Sequence, residues 1–103
     1  MKFLILQKVN SGTPLQRIVK LLPTQMKYIR ELKEKKKIEI YYHLIGQEGH
    51  MIICDVESEE ELSEIVGDDP LFFDSHREIL PLISYEKHEE RFRKLLTESL
   101  GKS

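Results

Sequence analysis

Two histidines in the middle of the chain are the strongest candidates for chemistry. His43 ends an aromatic and β-branched run, and His50 follows the short turn Gly46–Gly49. If that turn closes a hairpin with Ile45 opposite His50, the two imidazoles lie diagonally on one face, about 7–8 Å apart at the backbone. Because the unperturbed pKa of histidine lies nearest neutrality, such a pair can divide acid and base work on one small molecule.

Further groups on the same hairpin face suit a ligand pocket. Tyr41, Ile52 and Cys54 share this face, which therefore combines apolar walls with a phenol and a thiol. We predict that the two histidines are catalytic and that these three residues contact the ligand. The alternatives are that each histidine is a half-buried strand residue with a local partner, and that Cys54 is a small buried hydrophobe. The sequence leaves open which sheet face forms the pocket.

Other kinds of site have little support in the sequence. Two histidines without placed carboxylates or further cysteines are a weak metal signal. Asp68, Asp69, Asp74 and His76 follow no recognised ligand spacing, and we interpret them as turn and solvation chemistry. The chain has no Gly-rich phosphate loop before a helix and no Gly-x-Ser-x-Gly elbow. We predict no metal and no cofactor.

The first half of the chain predicts a strand followed by a long helical region. Residues 2–9 are an apolar run typical of a central strand, and Asn10–Pro14 has the composition of a turn that begins a helix. The helical region runs to about Lys37, and Pro23 within it either kinks one helix or starts a second. Its apolar face consists of Leu15, Ile18, Val19, Leu22, Met26 and Ile29.

The second half predicts a hairpin, a short helix, a strand and a last helix. Ile38–Ile45 and His50–Val56 are the hairpin strands. Ser58–Glu61 is a capping box, in which Ser58 caps the helix and Glu61 reaches back, and Gly67 ends that helix. The fourth strand lies around Glu78–Ile83, where Pro81 favours an edge. The last helix is amphipathic through Tyr85, His88, Phe92, Leu95, Leu96 and Ser99.

This element order predicts a single α+β domain over residues 1–103, a ferredoxin-like βαββαβ unit with a C-terminal helix. In that unit the helices cover one face of the sheet, and here both faces of the hairpin carry large apolar side chains. An uncovered apolar face usually marks an interface. We therefore expect a homodimer with its sheets face to face and the last helix reaching the partner; assembly beyond the dimer is left open.

Composition narrows the class of protein further. The 103 residues include 16 Lys+Arg and 18 Asp+Glu, and the net charge of −2 argues against a nucleic-acid partner. Cys54 has no second cysteine with which to form an internal disulfide. No apolar run approaches the roughly 20 residues that span a bilayer, and the N-terminal run is too short for a signal peptide. We expect a cytoplasmic protein without a membrane partner.

A set of short motifs follows Gly46: Asp55-Val56-x-Ser58-x-Glu60-x-Leu62, Pro70-Leu71-Phe72, Glu78-Ile79 and Leu82. Through these residues the chain from Gly46 onward resembles the muconolactone isomerases and their relatives in the dimeric α+β barrel superfamily. The start of the chain and Leu21-Leu22-Pro23 are similar to a broader branch of that superfamily. The resemblance implies a dimeric α+β barrel, and we include Phe72 among the ligand contacts.

The resemblance also implies a cofactor-independent lactone isomerase of aromatic-acid catabolism, which shifts a ring double bond by proton transfer. Such a site needs a base of near-neutral pKa and a donor for the enolate oxygen. His43 and His50 are candidates for these roles, with Tyr41 helping to hold the oxyanion. Muconolactone isomerases typically have Arg and Asn at the two histidine positions, so the substrate is left open. The alternatives are a non-catalytic dimeric binding or stress-associated module and a cofactor-free monooxygenase.

Overall fold

The structure is a computed structural model that describes residues 1–101. A four-stranded antiparallel sheet has the order β2-β3-β1-β4, so the predicted ferredoxin-like βαββαβ unit is confirmed, with its first strand central. The elements are β1 (Lys2–Val9), α1 (Leu15–Glu34), β2 (Ile38–His43), β3 (Gly49–Asp55), α2 (Glu59–Gly67), a short 3₁₀ turn (Phe72–Asp74), β4 (Ser75–Leu82) and α3 (Tyr85–Gly101). No helix within residues 1–101 is long and apolar enough to cross a membrane.

The hydrophobic core lies between one face of the sheet and the helices α1 and α2. The sheet contributes Ile5, Ile52 and Cys54, while α1 contributes Ile29. Leu62 of α2 completes this side of the core. The face predicted to carry the histidines is therefore the helix-covered face, which settles a point that the sequence left open.

Helix α1 is one helix that runs through Pro23 from Leu15 to Glu34. Proline lacks an N–H, so the carbonyl of Val19 loses its intrahelical donor without ending the helix. Pro14 stands at the N-cap position, as its fixed φ favours, and the helix ends three residues before the predicted Lys37.

Of the two contacts predicted for the capping box of α2, the one made by Ser58 is confirmed and the one made by Glu61 is wrong. Ser58 Oγ accepts a hydrogen bond from the backbone N–H of Glu61 at 3.1 Å. The Glu61 carboxylate does not reach back to the cap, because it pairs with Lys37 Nζ at 2.8 Å. The ion pair therefore joins the start of α2 to the segment that enters β2.

The predicted register of the hairpin is wrong by two residues. Its strands end at His43 and begin at Gly49, so the loop is Leu44–Glu48 and His43 stands directly opposite His50. Only glycine fits at position 49 in this register, because a Cβ there would lie 2.4 Å from the backbone oxygen of Gln7. Side chains alternate with a period of two, so a two-residue shift leaves every residue on its predicted face.

The other face of the sheet has no covering element in the described chain. Leu4, Leu6, Met51 and Ile53 are half-buried there, and Tyr42 is 65% exposed. Helix α3 has no buried residue, and its exposed apolar side chains include Tyr85, Phe92, Leu95, Leu96 and Leu100. β4 forms the edge of the sheet, as Pro81 predicted.

Candidate functional site

A cavity of about 370 Å³ opens between α1 and the helix-covered face of the hairpin. Its volume falls within the usual range for small-molecule sites. The side chains around it are mostly apolar on α1 and mostly polar on the strands. They are Gln7, Val9, Ile18, Leu22, Gln25, Met26, Ile29, Arg30, Lys33, Tyr41, His43, Glu48, Gly49, His50 and Leu71.

Both predicted catalytic histidines line this cavity, and their surroundings differ. His50, on β3, is 5% exposed, whereas His43, at the end of β2, is exposed to solvent. Because they are register partners, they are closer than the diagonal placement predicted from the sequence. The site therefore pairs one buried imidazole with one that is open to solvent.

Burial lowers the pKa of His50 below its usual 6.5. Positive charge at His43 and Arg77 lowers it further, while the Asp69 carboxylate opposes the shift. The Nε2 atom of His50 is buried without a hydrogen-bond partner. At neutral pH this imidazole is therefore uncharged, with a ring nitrogen that no protein group occupies.

Tyr41 lies beside His50 on the neighbouring strand. The ring centroids are 5.1 Å apart and the planes are tilted by 32°. Burial raises the pKa of the Tyr41 hydroxyl, with a smaller contribution from the negative charge of Asp69. The phenol therefore stays protonated at neutral pH and can donate a hydrogen bond.

Three buried polar residues next to the histidines were not predicted from the sequence. Gln7, Gln25 and Asp69 are 3%, 4% and 8% exposed. Gln25 Nε2 donates to Asp69 Oδ2 at 3.3 Å, and the backbone N–H of Leu71 donates to Asp69 Oδ1 at 2.7 Å. A carboxylate only accepts, so this contact fixes the orientation of the Gln25 amide and leaves its Oε1 without a partner.

The interpretation of Asp69 as turn and solvation chemistry is confirmed for the turn, where its carboxylate accepts from the backbone N–H two residues on, and is wrong for solvation. Asp69 is buried, and its charge contributes to the pKa values of His50, Tyr41 and Arg77. One signal in the sequence pointed here: Gln25 is a polar residue on the apolar side of α1, between Ile18 and Ile29.

The remaining predicted contacts lie around this cavity rather than in its wall. Ile52 and Cys54 line a smaller void of about 10 Å³ deeper in the core, together with Gln7 and Asp69. The thiol of Cys54 donates to the carbonyl of Phe3 at 3.6 Å, and burial raises its pKa. Cys54 is thus placed as a protonated core residue.

Phe72 is not among the residues that line the cavity. Its ring centroid is 4.9 Å from the guanidinium carbon of Arg77, and its carbonyl accepts from Arg77 Nη2 at 3.4 Å. Arg77 Nε also donates to Gln7 Oε1 at 3.4 Å. Arg77 therefore joins Phe72 to Gln7, which does line the cavity.

The rest of the loop cluster forms structural contacts. Asp74 pairs with Arg17 at 2.8 Å, and His76 Nδ1 lies 3.0 Å from Asn10 Oδ1. Within residues 1–101, no three His, Cys, Asp or Glu side chains are grouped so as to hold a metal ion.

Most of the chain matches a known protein family. Residues 1–88 match the protein family described as Muconolactone delta-isomerase. A Muconolactone Delta-isomerase from Rhodococcus opacus is 38% identical over 58 residues, a segment that covers 56% of this chain and only 62% of that relative.

Two solved structures have the same fold. One is a 5-chloro-2-hydroxyhydroquinone dehydrochlorinase from Burkholderia phenoliruptrix AC1100 in complex with 2,5-dihydroxybenzoquinone. It has a TM-score of 0.71 at 22% identity and is matched over 84% of this chain and 98% of that one. The other is a muconolactone isomerase, with a TM-score of 0.65 at 15% identity over 82% and 91%. Because the family match runs through residues 1–88, this chain belongs to the muconolactone delta-isomerase family.

Proposed function

We propose that this protein is a cofactor-independent acid–base catalyst that shifts a double bond in a small lactone or a related metabolite of aromatic catabolism. The observation that carries the proposal is His50, a buried imidazole held neutral in the wall of a cavity of about 370 Å³. Membership of the muconolactone delta-isomerase family supports the same reaction class.

The proton transfer would run between ring carbons of the lactone. A neutral His50 removes a proton from the saturated ring carbon next to the double bond that is conjugated with the carbonyl; the C–H bond breaks, an N–H bond forms, and the electron pair moves through the double bond to the carbonyl oxygen. The Tyr41 hydroxyl donates a hydrogen bond to that oxygen. The proton then returns at the other end of the conjugated system. His43, open to solvent beside His50, is the candidate for the second acid–base role.

Deuterium uptake from heavy water tests this reaction. A panel of butenolide lactones that includes muconolactone is incubated with the protein, and mass spectrometry follows deuterium in the lactone. His50→Ala and His43→Ala should each reduce uptake about 10²–10⁴-fold while circular dichroism stays unchanged. His88→Ala is the matched control, since His88 is exposed on α3. Uptake that survives His50→Ala contradicts the assignment.

A binding module without turnover is the second candidate, and one observation favours it. Within residues 1–101, neither cavity histidine forms a hydrogen bond with a carboxylate that would strengthen it as a base. Under this reading no lactone gains deuterium, yet ligands raise the unfolding temperature. A thermal-shift screen should include 2,5-dihydroxybenzoquinone, the ligand of the dehydrochlorinase structure.

The uncovered sheet face supports a homodimer with its sheets packed face to face. Ile53 lies on this face on a central strand, whereas Ile45 is 99% exposed in the hairpin loop. Light scattering at micromolar concentration should give twice the 12.2 kDa chain mass. Ile53→Lys should produce monomer and Ile45→Lys should not. A monomeric wild type contradicts the dimer.

A further inference from the structure

Two cations of α1 lie in the wall of the cavity. Arg30 and Lys33 are three residues apart, so they lie on one flank of the helix and project towards the same opening. Neither side chain forms an ion pair or a hydrogen bond with any residue in the part of the chain that the structure describes. The cavity wall therefore carries two positive charges that the protein does not neutralise.

The groups facing these cations come from the hairpin. Glu48, in the loop before β3, contributes the one carboxylate among the cavity-lining residues, and it is not paired with either cation. His43, His50 and Tyr41 complete that side. The lining thus has an excess of positive charge, in a chain whose net charge is −2.

The apolar part of the wall lies next to the cations on the same helix. Met26 and Leu22 line the cavity one and two turns before Arg30, and Met26 is 60% exposed. A ligand that spans this wall would have an apolar ring and a charged end. Guanidinium groups suit that end, since their donors match the two oxygens of a carboxylate.

We propose that Arg30 and Lys33 form an anion subsite that binds the carboxylate of a ring-shaped ligand and orients its ring towards His50. The inference rests on the proposed function for the ring and its carboxylate, and it adds the residues of this chain that hold that carboxylate. A neutral ligand of the same shape would leave both cations unpaired.

The test compares binding of muconolactone with binding of its neutral methyl ester by isothermal titration calorimetry. Wild type should bind the carboxylate about 10–100-fold more tightly than the ester, the range expected of charge-assisted hydrogen bonds. The double variant Arg30→Gln/Lys33→Gln should bind both with similar affinity, and its affinity for the ester should stay within about twofold of wild type.

Lys20→Gln is the matched control, because it removes one positive charge from α1 at a position outside the cavity lining. It should leave the preference for the carboxylate intact. The proposal is overturned if wild type binds neither compound, if it binds both equally, or if Lys20→Gln abolishes the preference. Binding without deuterium uptake would retain the anion subsite and reject the proposed catalysis, so the two failures are distinguishable.

Discussion

The protonation of His50 should make the free energy of unfolding depend on pH. Burial lowers the pKa of His50 in the folded protein, whereas in the unfolded chain it returns to about 6.5. As the pH falls below 6.5, the unfolded chain takes up a proton that the folded protein resists. The stabilisation is therefore complete above this pH and is lost progressively as the pH falls towards the folded-state pKa.

The size of this effect follows from proton linkage. If folded His50 stays neutral, the free energy of unfolding falls by about 1 kcal/mol between pH 6.5 and 5.5, and the slope approaches about 1.4 kcal/mol per pH unit. His50→Gln keeps a polar side chain that does not titrate, so it should lack this contribution. The difference between wild type and variant isolates it from the carboxylates, which both proteins share.

Urea unfolding at several pH values between 5.5 and 8 provides the measurement. The wild-type curve should fall more steeply with decreasing pH than the His50→Gln curve. His88→Gln, which removes an exposed histidine, should follow wild type. Parallel curves for wild type and His50→Gln would refute the reasoning, because they would mean that folding leaves the pKa of His50 unchanged.

Three further outcomes test other parts of the structure. Tyr41→Phe should reduce deuterium uptake about 10–100-fold with little change in unfolding free energy, since it removes one donor to the enolate oxygen; equal uptake would exclude that role. Cys54 should react with a thiol reagent only after unfolding, because it is 0% exposed and burial raises its pKa; rapid labelling of the native protein would contradict its placement. Gly49→Ala should destabilise the protein by about 2 kcal/mol or more, since the new Cβ meets the backbone oxygen of Gln7. Gly12→Ala, where nothing lies within 4 Å, is its control, and equal unfolding midpoints for the two variants would refute the close approach.

The fold could be predicted from the sequence because its signals are local. The Ser58 cap, the apolar run of β1 and the period of α1 each specify an element without reference to distant residues. The hairpin register is different, because several turns can close between Leu44 and Gly49. The register that forms depends on contacts with β1, such as the close approach of Gly49 to Gln7. These contacts join residues that are far apart in the chain.

The sequence could predict only those residues of the candidate site whose face follows from the alternation of side chains along a strand. Alternation brought His43, His50 and Tyr41 to one face because the predicted register differs from the observed one by an even number of residues. Asp69 and Gln25 are 44 positions apart in sequence, and their hydrogen bond arises from the packing of α1 against the loop after α2. No local pattern marks such a pair, and an acidic residue before a proline is equally typical of an exposed turn.

Helix α3 would make the secondary structure of this protein a measure of its assembly. Its 17 residues bury no side chain within the described chain, and helices in proteins owe most of their stability to the packing of an apolar face. In the proposed homodimer, the surface that covers the apolar face of α3 would therefore also stabilise its helical structure. If the partner supplies that surface, dilution that separates the dimer should unwind α3 while the sheet persists, and far-ultraviolet circular dichroism would record dissociation as a loss of helix.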